Sequence, residues 1–354
     1  MITKPLVTVL MAVYNGERYL RSTIESILNQ TFTDFEFVIV NDGSNDSTVE
    51  VIKSYKDHRI ILYNNKINLG QTKSWNTGLH IARGKYIARI DAGDVSMPMR
   101  LKRQVTYIQK NPEITVVGTS AFRYTDSWKV IDVVHMPNSK LAILQSMFFA
   151  NPIIHISVLM QREAILHIGG YDERYHVLAD YELWSRLLQN NYQLSNLGEI
   201  LVGYMISPES FSMKNIKGKS FIEASKIIQT NVEKFTSLSI SFEQASNIYK
   251  MFTFNMNGLS LDEIIDTEKL FIRILKNVNT SKSDIDYFLI KKYIKYVLTH
   301  IKEPINKLIF QYVIKSIFAK SFCLFSYLKF FNNLLRLSQS IFWKIKKNLF
   351  DFTC

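Results

Sequence analysis

The sequence predicts an α/β chain, a mostly parallel sheet flanked by helices, with a helical C-terminal region after it. Three observations point there. Short apolar runs alternate with stretches of helical apolar spacing through the first part of the chain. The connections between them are short and rich in Asn, Asp and Gly. Beyond Phe211, Gly and Pro become sparse and helical runs dominate.

The elements follow in order. Leu6–Val13 is an apolar strand. Glu17–Asn29 places Leu20, Ile24, Ile27 and Leu28 at helical spacing. Phe35–Val40 is a second buried strand, ending at Asn41-Asp42-Gly43-Ser44. Ser47–Tyr55 reads as a helix and Ile60–Tyr63 as a third strand. Asn68-Leu69-Gly70 is a turn, and Gln71–Ala82 is a helix stopped by Gly84. Lys85–Ile90 is a fourth strand, running into Asp91-Ala92-Gly93-Asp94. From Met97 the alternation loosens. Arg100–Gln109, Ser139–Phe149 and Asp180–Gln189 read as helices. Ile114–Tyr124, Lys129–His135, Ile156–Met160 and Leu201–Ile206 read as extended. The division expected is 1–213 for the α/β domain and 214–354 for the helical region.

Composition narrows the class. The chain has 354 residues, 47% hydrophobic and 21% charged, enough for about two domains with real cores. Its two cysteines, Cys323 and Cys354, support neither a disulfide framework nor a Cys-based zinc site, so a reducing cytoplasm is expected. The first residues read as a strand rather than a signal peptide. No window reaches about 18 uninterrupted apolar residues, so no spanning helix is expected. Of the net charge of +12, +10 falls in residues 291–354. The basic character therefore belongs to a tail with its own role.

Sheets of this kind bind ligands beyond the carboxyl ends of their strands. Asp42, Asp91 and Asp94 fall at such ends. Each alone is equally a turn or cap residue; several at one sheet edge make a site.

Five stretches in order carry a resemblance: LVTVLMAVYNG, FVIVNDGSNDST, NLGQTKSWNTGLHIARGKYIARIDAGD, NPIIHISVLMQREAILHIGGYDE and ADYELWSRL. Together they resemble the family 2 inverting glycosyltransferases of the GT-A fold, over roughly residues 5–212. That resemblance implies a nucleotide-diphosphate sugar donor, expected to be UDP-linked, and a saccharide or lipid-linked acceptor. It implies that Asp42 contacts the base or ribose, whose N–H and hydroxyl groups suit a carboxylate. Val13, Tyr14 and Asn15 would line the same pocket, Asn76 and Gly78 would stand on the nucleotide side, and Asp91 and Ala92 would lie by the ribose and diphosphate. Asp91 and Asp94 would hold a divalent metal, Mn²⁺ or Mg²⁺, against the diphosphate. Asp180, at the start of a helix, would be the catalytic base, its ionised form favoured by the helix dipole. His155, Tyr171, Asp172, Glu182 and Trp184 would lie on the acceptor side.

The chain departs from the family pattern at three places. Gly93 stands where an acid is usual, Ala179 replaces the acid before the base, and Ser207 stands where a His is frequent. These motivate an alternative, a catalytically degenerate nucleotide-sugar-binding or scaffolding protein. A Gln-Xaa-Xaa-Arg-Trp stretch is absent, which favours transfer of a single sugar over processive synthesis. The expected setting is bacterial surface polysaccharide or lipopolysaccharide assembly.

In the tail, Lys307, Lys315, Lys329, Arg336, Lys344 and Lys347 alternate with Phe, Leu, Ile and Trp. Such helices lie in the headgroup plane of an anionic membrane, each cation adding about 1 kcal/mol. A peripheral place on the inner face of the cell membrane is thus expected. Packing on the α/β domain and a homo-oligomer interface are the alternatives. No nucleic-acid-binding module pattern appears, so no nucleic acid is expected as a partner.

Overall fold

A computed structural model describes residues 4–206, 218–253, 259 and 261–278. The expected domain boundary at 213/214 and the basic tail lie outside the described residues. The chain divides into two compact units, residues 1–249 and 250–354.

The first unit is built on one mixed sheet. Its opening strands are β1 (Val7–Val13), β2 (Phe35–Asn41), β3 (Ile60–Asn64) and β4 (Tyr86–Arg89). They pair in parallel in the order β3-β2-β1-β4. The sheet then continues through β8 (Leu159–Gln161), β6 (Ile114–Thr125), β9 (Gln193–Ile206) and β5 (Val95–Ser96). β8 runs antiparallel to both its neighbours, β6 and β9 are parallel, and β5 runs antiparallel to β9. β7 (Val130–Val134) forms a hairpin with β6.

Every residue of β1 and of β2 is buried, as befits central parallel strands covered on both faces. Helix α1 (Leu20–Leu28) buries Leu20, Thr23, Ile24 and Ile27, one stripe at helical spacing. Helices α2 (Thr48–Ser54), α3 (Gln71–Ile81) and α4 (Arg100–Lys110) follow the same logic. Gly78 lets α3 sit hard on the sheet. A Cβ there would lie 2.1 Å from Cδ1 of Leu10 in β1. Gly78→Ala should therefore cost about 1–3 kcal/mol by overpacking, read as a lowered unfolding midpoint.

The second half of the unit adds α5 (Lys140–Ser146), α6 (Arg162–His167), α7 (Ala179–Gln189) and α8 (Lys219–Thr236), and α9 (Phe242–Phe252) runs across the division between the units. Two sequence expectations shift here. The strand expected from Ile156 begins only at Leu159, because His155–Ser157 forms a 3₁₀ turn. The last strand starts at Gln193 rather than Leu201. Its early part carries buried Ser195 and Asn196, whose polar character hid it, and Asn196 Nδ2 donates to the Pro137 and Pro152 carbonyls. In the second unit, α10 spans Leu261–Asn277, and the Phe252 and Phe271 rings meet at 4.6 Å.

Candidate active site

Register brings the strand ends together. Val13 at the end of β1 faces Asn41 at the end of β2, and Leu10 pairs with Arg89 at the end of β4. The segments after these strands therefore share one edge of the sheet.

On the β1–β2 side the two loops are stitched to each other. Asn15 takes a left-handed φ of 51°, donates its N–H to Ser44 Oγ at 2.9 Å and accepts from Asn45 N–H at 3.0 Å. Tyr14 beside it is exposed. Gly43 is required, with φ 71° and a would-be Cβ 2.6 Å from the Ile67 backbone. Asp42 is 3% exposed. Its Oδ1 accepts from Asn65 Nδ2 at 2.8 Å and Leu69 N–H at 2.9 Å, and its Oδ2 accepts from Gly70 N–H at 2.9 Å. Asp42 thus organises the turn that opens α3.

The next residue, Gln71, reaches Asp91 Oδ1 at 3.4 Å. The same oxygen accepts from Arg89 Nη2 at 2.6 Å. Arg89 is fully buried, and its Nη1 donates to the Leu10 and Ile90 carbonyls. Its guanidinium lies 4.5 Å from the Trp75 ring centroid, a cation–π contact. Its Nε donates to His155 Nε2 at 3.3 Å. The Tyr171 hydroxyl shares this nitrogen at 2.7 Å. Burial, then the Arg89 charge, holds the His155 imidazole well below its ordinary value, so it is neutral.

Asp180 lies beyond this group, in the first turn of α7. Its Oδ2 accepts from Asn151 Nδ2 at 2.6 Å, and Asn151 is itself oriented by Ile153 N–H at 3.1 Å. Asp180 is partly buried and keeps part of its surface open. Burial pushes its carboxyl up to about 6, and the Tyr181 N–H, Asn151 and Arg89 pull against that. The Tyr171 hydroxyl senses both Asp180 and Asp91. A continuous run of polar contacts therefore links Asp42 through Gly70–Gln71 to Asp91, Arg89, His155 and Tyr171, with Asp180 next to its far end.

Other expected site residues are used differently. Asn76 spends its amide on the Tyr171 backbone, donating to the carbonyl and accepting from the N–H, both at 2.9 Å. Gly78 is packed on Leu10, as described above. Both serve the packing of α3. Glu182 pairs with Arg186, which also donates to the Ile168 and Gly170 carbonyls, so Glu182 fastens a loop instead of facing a ligand. Trp184 is fully buried in the core. Tyr171 is buried within the Arg89 cluster. Asp172 is paired with exposed Arg174, which holds its carboxyl below the usual carboxylate range. Arg89 and Asn151 join this run of contacts, and the sequence reading passed over both. A charged residue inside an apolar strand, two places before an acidic loop, was the available signal for Arg89.

The acidic loop sets limits on a metal. Asp94 is 4% exposed and turned inward, its Oδ1 accepting from Met205 N–H at 2.8 Å. Burial, with Asp91 nearby, raises its carboxyl well above the ordinary range. Gly93 has φ 99°, and a Cβ there would lie 2.5 Å from Met205 Cε, so the missing acid has no ready place. Asp91 and Asp94 each keep one carboxylate oxygen, Oδ2, outside these bonds, Asp94's in a side chain that is almost wholly buried. Among the described residues no group of three or more His, Cys, Asp and Glu could hold a metal ion. These two carboxylates are thus the most that the loop offers a hard cation, which needs further oxygen ligands from elsewhere. Nor is any helix among the described residues long and apolar enough to cross a membrane.

Residues 8–167 match the family model described as glycosyl transferase family 2. An uncharacterized glycosyltransferase of Methanocaldococcus jannaschii is 37% identical over 218 residues, covering 60% of this chain and 75% of the relative. The O-antigen biosynthesis glycosyltransferase WbnJ of Escherichia coli is 32% identical over 214 residues, covering 58% of this chain and 81% of the relative. Among solved structures, residues 1–349 of S. aureus TarS in complex with UDP-GlcNAc superpose with a TM-score of 0.56 at 17% identity, covering 83% of this chain and 89% of that one. That likeness is one of fold, and it matches the expected GT-A class. With strand ends, acidic loops and relatives in agreement, this chain belongs to the family 2 glycosyltransferases and is a transferase of sugars.

Proposed function

We propose that the enzyme moves a single sugar from a UDP-linked donor to a hydroxyl of a saccharide or lipid-linked acceptor, with inversion at the anomeric carbon. The observation that carries this reading is Asp180: a partly open carboxylate with its carboxyl near 6, oriented by Asn151, at the end of the contacts that begin at Asp42. In the reaction the acceptor oxygen attacks the anomeric carbon. The new C–O bond forms as the bond to the diphosphate oxygen breaks, and the hydroxyl proton passes to Asp180. One displacement gives inversion.

The turn that Asp42 organises, with the Val13–Asn15 segment, takes the nucleoside, and Asp91 with Ala92 the ribose and diphosphate. His155 and Asp172 border the acceptor side. Asp91 Oδ2 is the ligand offered to Mn²⁺ or Mg²⁺, which would neutralise charge on the leaving diphosphate. The UDP choice draws on the bound UDP-GlcNAc of TarS, and the setting in surface polysaccharide assembly on the naming of WbnJ for O-antigen biosynthesis. Residues 214–354 remain the proposed carrier to the inner face of an anionic membrane, on their charge and aromatic composition.

The second reading is a nucleotide-sugar-binding protein without turnover, motivated by Gly93 and its backbone conformation. One experiment separates the two. Purified protein is titrated with UDP- and GDP-sugars with and without Mn²⁺, and donor consumption is followed. Binding with turnover of a UDP-sugar is expected. Binding without turnover of any donor would favour the second reading, and no binding would remove both.

A further inference from the structure

Helix α7 has no side-chain cap of its own, since its N-cap residue is Leu178. Its entry is held instead by a carboxylate from α8. Glu223, 8% exposed, accepts from His176 N–H at 2.9 Å through Oε1, and from Val177 and Leu178 N–H at 3.0 and 2.8 Å through Oε2. These three amides lead directly into the turn that bears Asp180. A second tie lies further along the same pair of helices. Asn231 of α8 is bonded to Ser185 and donates to the Met147 carbonyl at 2.9 Å, and the Tyr181 hydroxyl donates to that same carbonyl at 2.8 Å. Helix α7 is therefore clamped at its start and its middle by a helix lying beyond the stretch that matches the family model.

We infer that Glu223 is a positioning residue for transfer, fixing the pose of Asp180 by gathering the three amides ahead of α7. This inference rests on the reading of Asp180 as the base. A single carboxylate binding three consecutive N–H groups fixes both the direction of the incoming chain and the phase of the first helical turn. Rotation of that turn swings Asp180 away from Asn151 and from the acceptor oxygen. A displacement of about 1 Å at a reacting group costs on the order of 100-fold in rate. Gln at this position keeps one acceptor oxygen, and Ala keeps none.

The test compares wild type, Glu223→Gln and Glu223→Ala, each held well below its unfolding temperature. Transfer from a UDP-sugar is measured together with amide exchange of residues 176–183. The expected result is a kcat lowered by about 100-fold in the Ala variant and by less in Gln. Donor KM should change by less than about threefold, and exchange at 176–178 should accelerate in the same rank order. An unchanged kcat in Glu223→Ala, unchanged exchange, or equal losses in kcat and donor affinity would each overturn the inference. A wild type that turns over no nucleotide sugar would overturn the base reading itself, and that is seen before any variant is compared.

Discussion

Asp180→Asn should abolish sugar transfer, by about a thousandfold, and leave donor affinity within about threefold. The amide has the shape of the acid and can still accept from Asn151 Nδ2, so the fold of the crevice is kept. It cannot take a proton from the acceptor hydroxyl. Wild-type transfer should rise with pH through about 6 and then level, because only the ionised carboxylate is a base. The same substitution should stabilise the protein. The folded carboxyl titrates near 6, against an ordinary value of 3.8 for Asp. The folded state thus holds a proton that the unfolded chain releases between roughly pH 4 and 6. Stability from this group is complete below that window and falls as pH rises through it. Above it the buried charge opposes folding, by about 1–2 kcal/mol after allowance for its partly open surface. The midpoint of Asp180→Asn should therefore exceed that of wild type at pH 7, with the gap closing towards pH 4.

Arg89→Met carries the largest expected loss of stability. The guanidinium is fully buried and donates to His155, to the Leu10 and Ile90 carbonyls and to Asp91. Removing it leaves the Leu10 and Ile90 carbonyls without that donor, strips Asp91 of its ion partner, and takes the cation from the face of Trp75. Breaking a buried charged pair in this way costs about 3–5 kcal/mol. Lysine is not a conservative replacement, since one ammonium cannot serve carbonyls, carboxylate and imidazole in the fork geometry that Arg89 uses. The unfolding midpoint of Arg89→Met should fall by on the order of 10 °C. Donor affinity should fall with it, because Asp91 loses its anchor. A differential scanning measurement at pH 7 reads the first effect and a donor titration the second.

The parallel half of the sheet was legible because β1, β2 and β4 are largely apolar runs bounded by Gly and Asn turns, and because α1 carries a single apolar stripe. The mixed half was less so. β5 is two residues long and exists only through pairing with β9, a partner about a hundred residues away. Such a strand has no periodicity to read. α6 is six residues and was likewise passed over. The acids were visible, since Asp42, Asp91 and Asp180 stand at element ends where site chemistry gathers. What each acid does was less visible. Asp94 turns inward because Met205 N–H, 111 residues later, meets it there. Asn76 serves the Tyr171 backbone, a contact across 95 residues. Long-range hydrogen bonds of this kind decide between ligand contact and scaffold, and a linear pattern does not contain them.

The separation of grip from chemistry is tested most directly by one paired measurement, donor affinity and transfer rate for Asp42→Ala and Asp180→Asn in the same assay. Asp42→Ala removes the acceptor for Asn65 and for the Leu69 and Gly70 amides, so donor affinity should fall by about 10–100-fold with the rate at saturation largely kept. Asp180→Asn should show the opposite pattern, affinity kept and rate lost. Loss of the same parameter in both variants, or full activity in Asp180→Asn, would contradict the account.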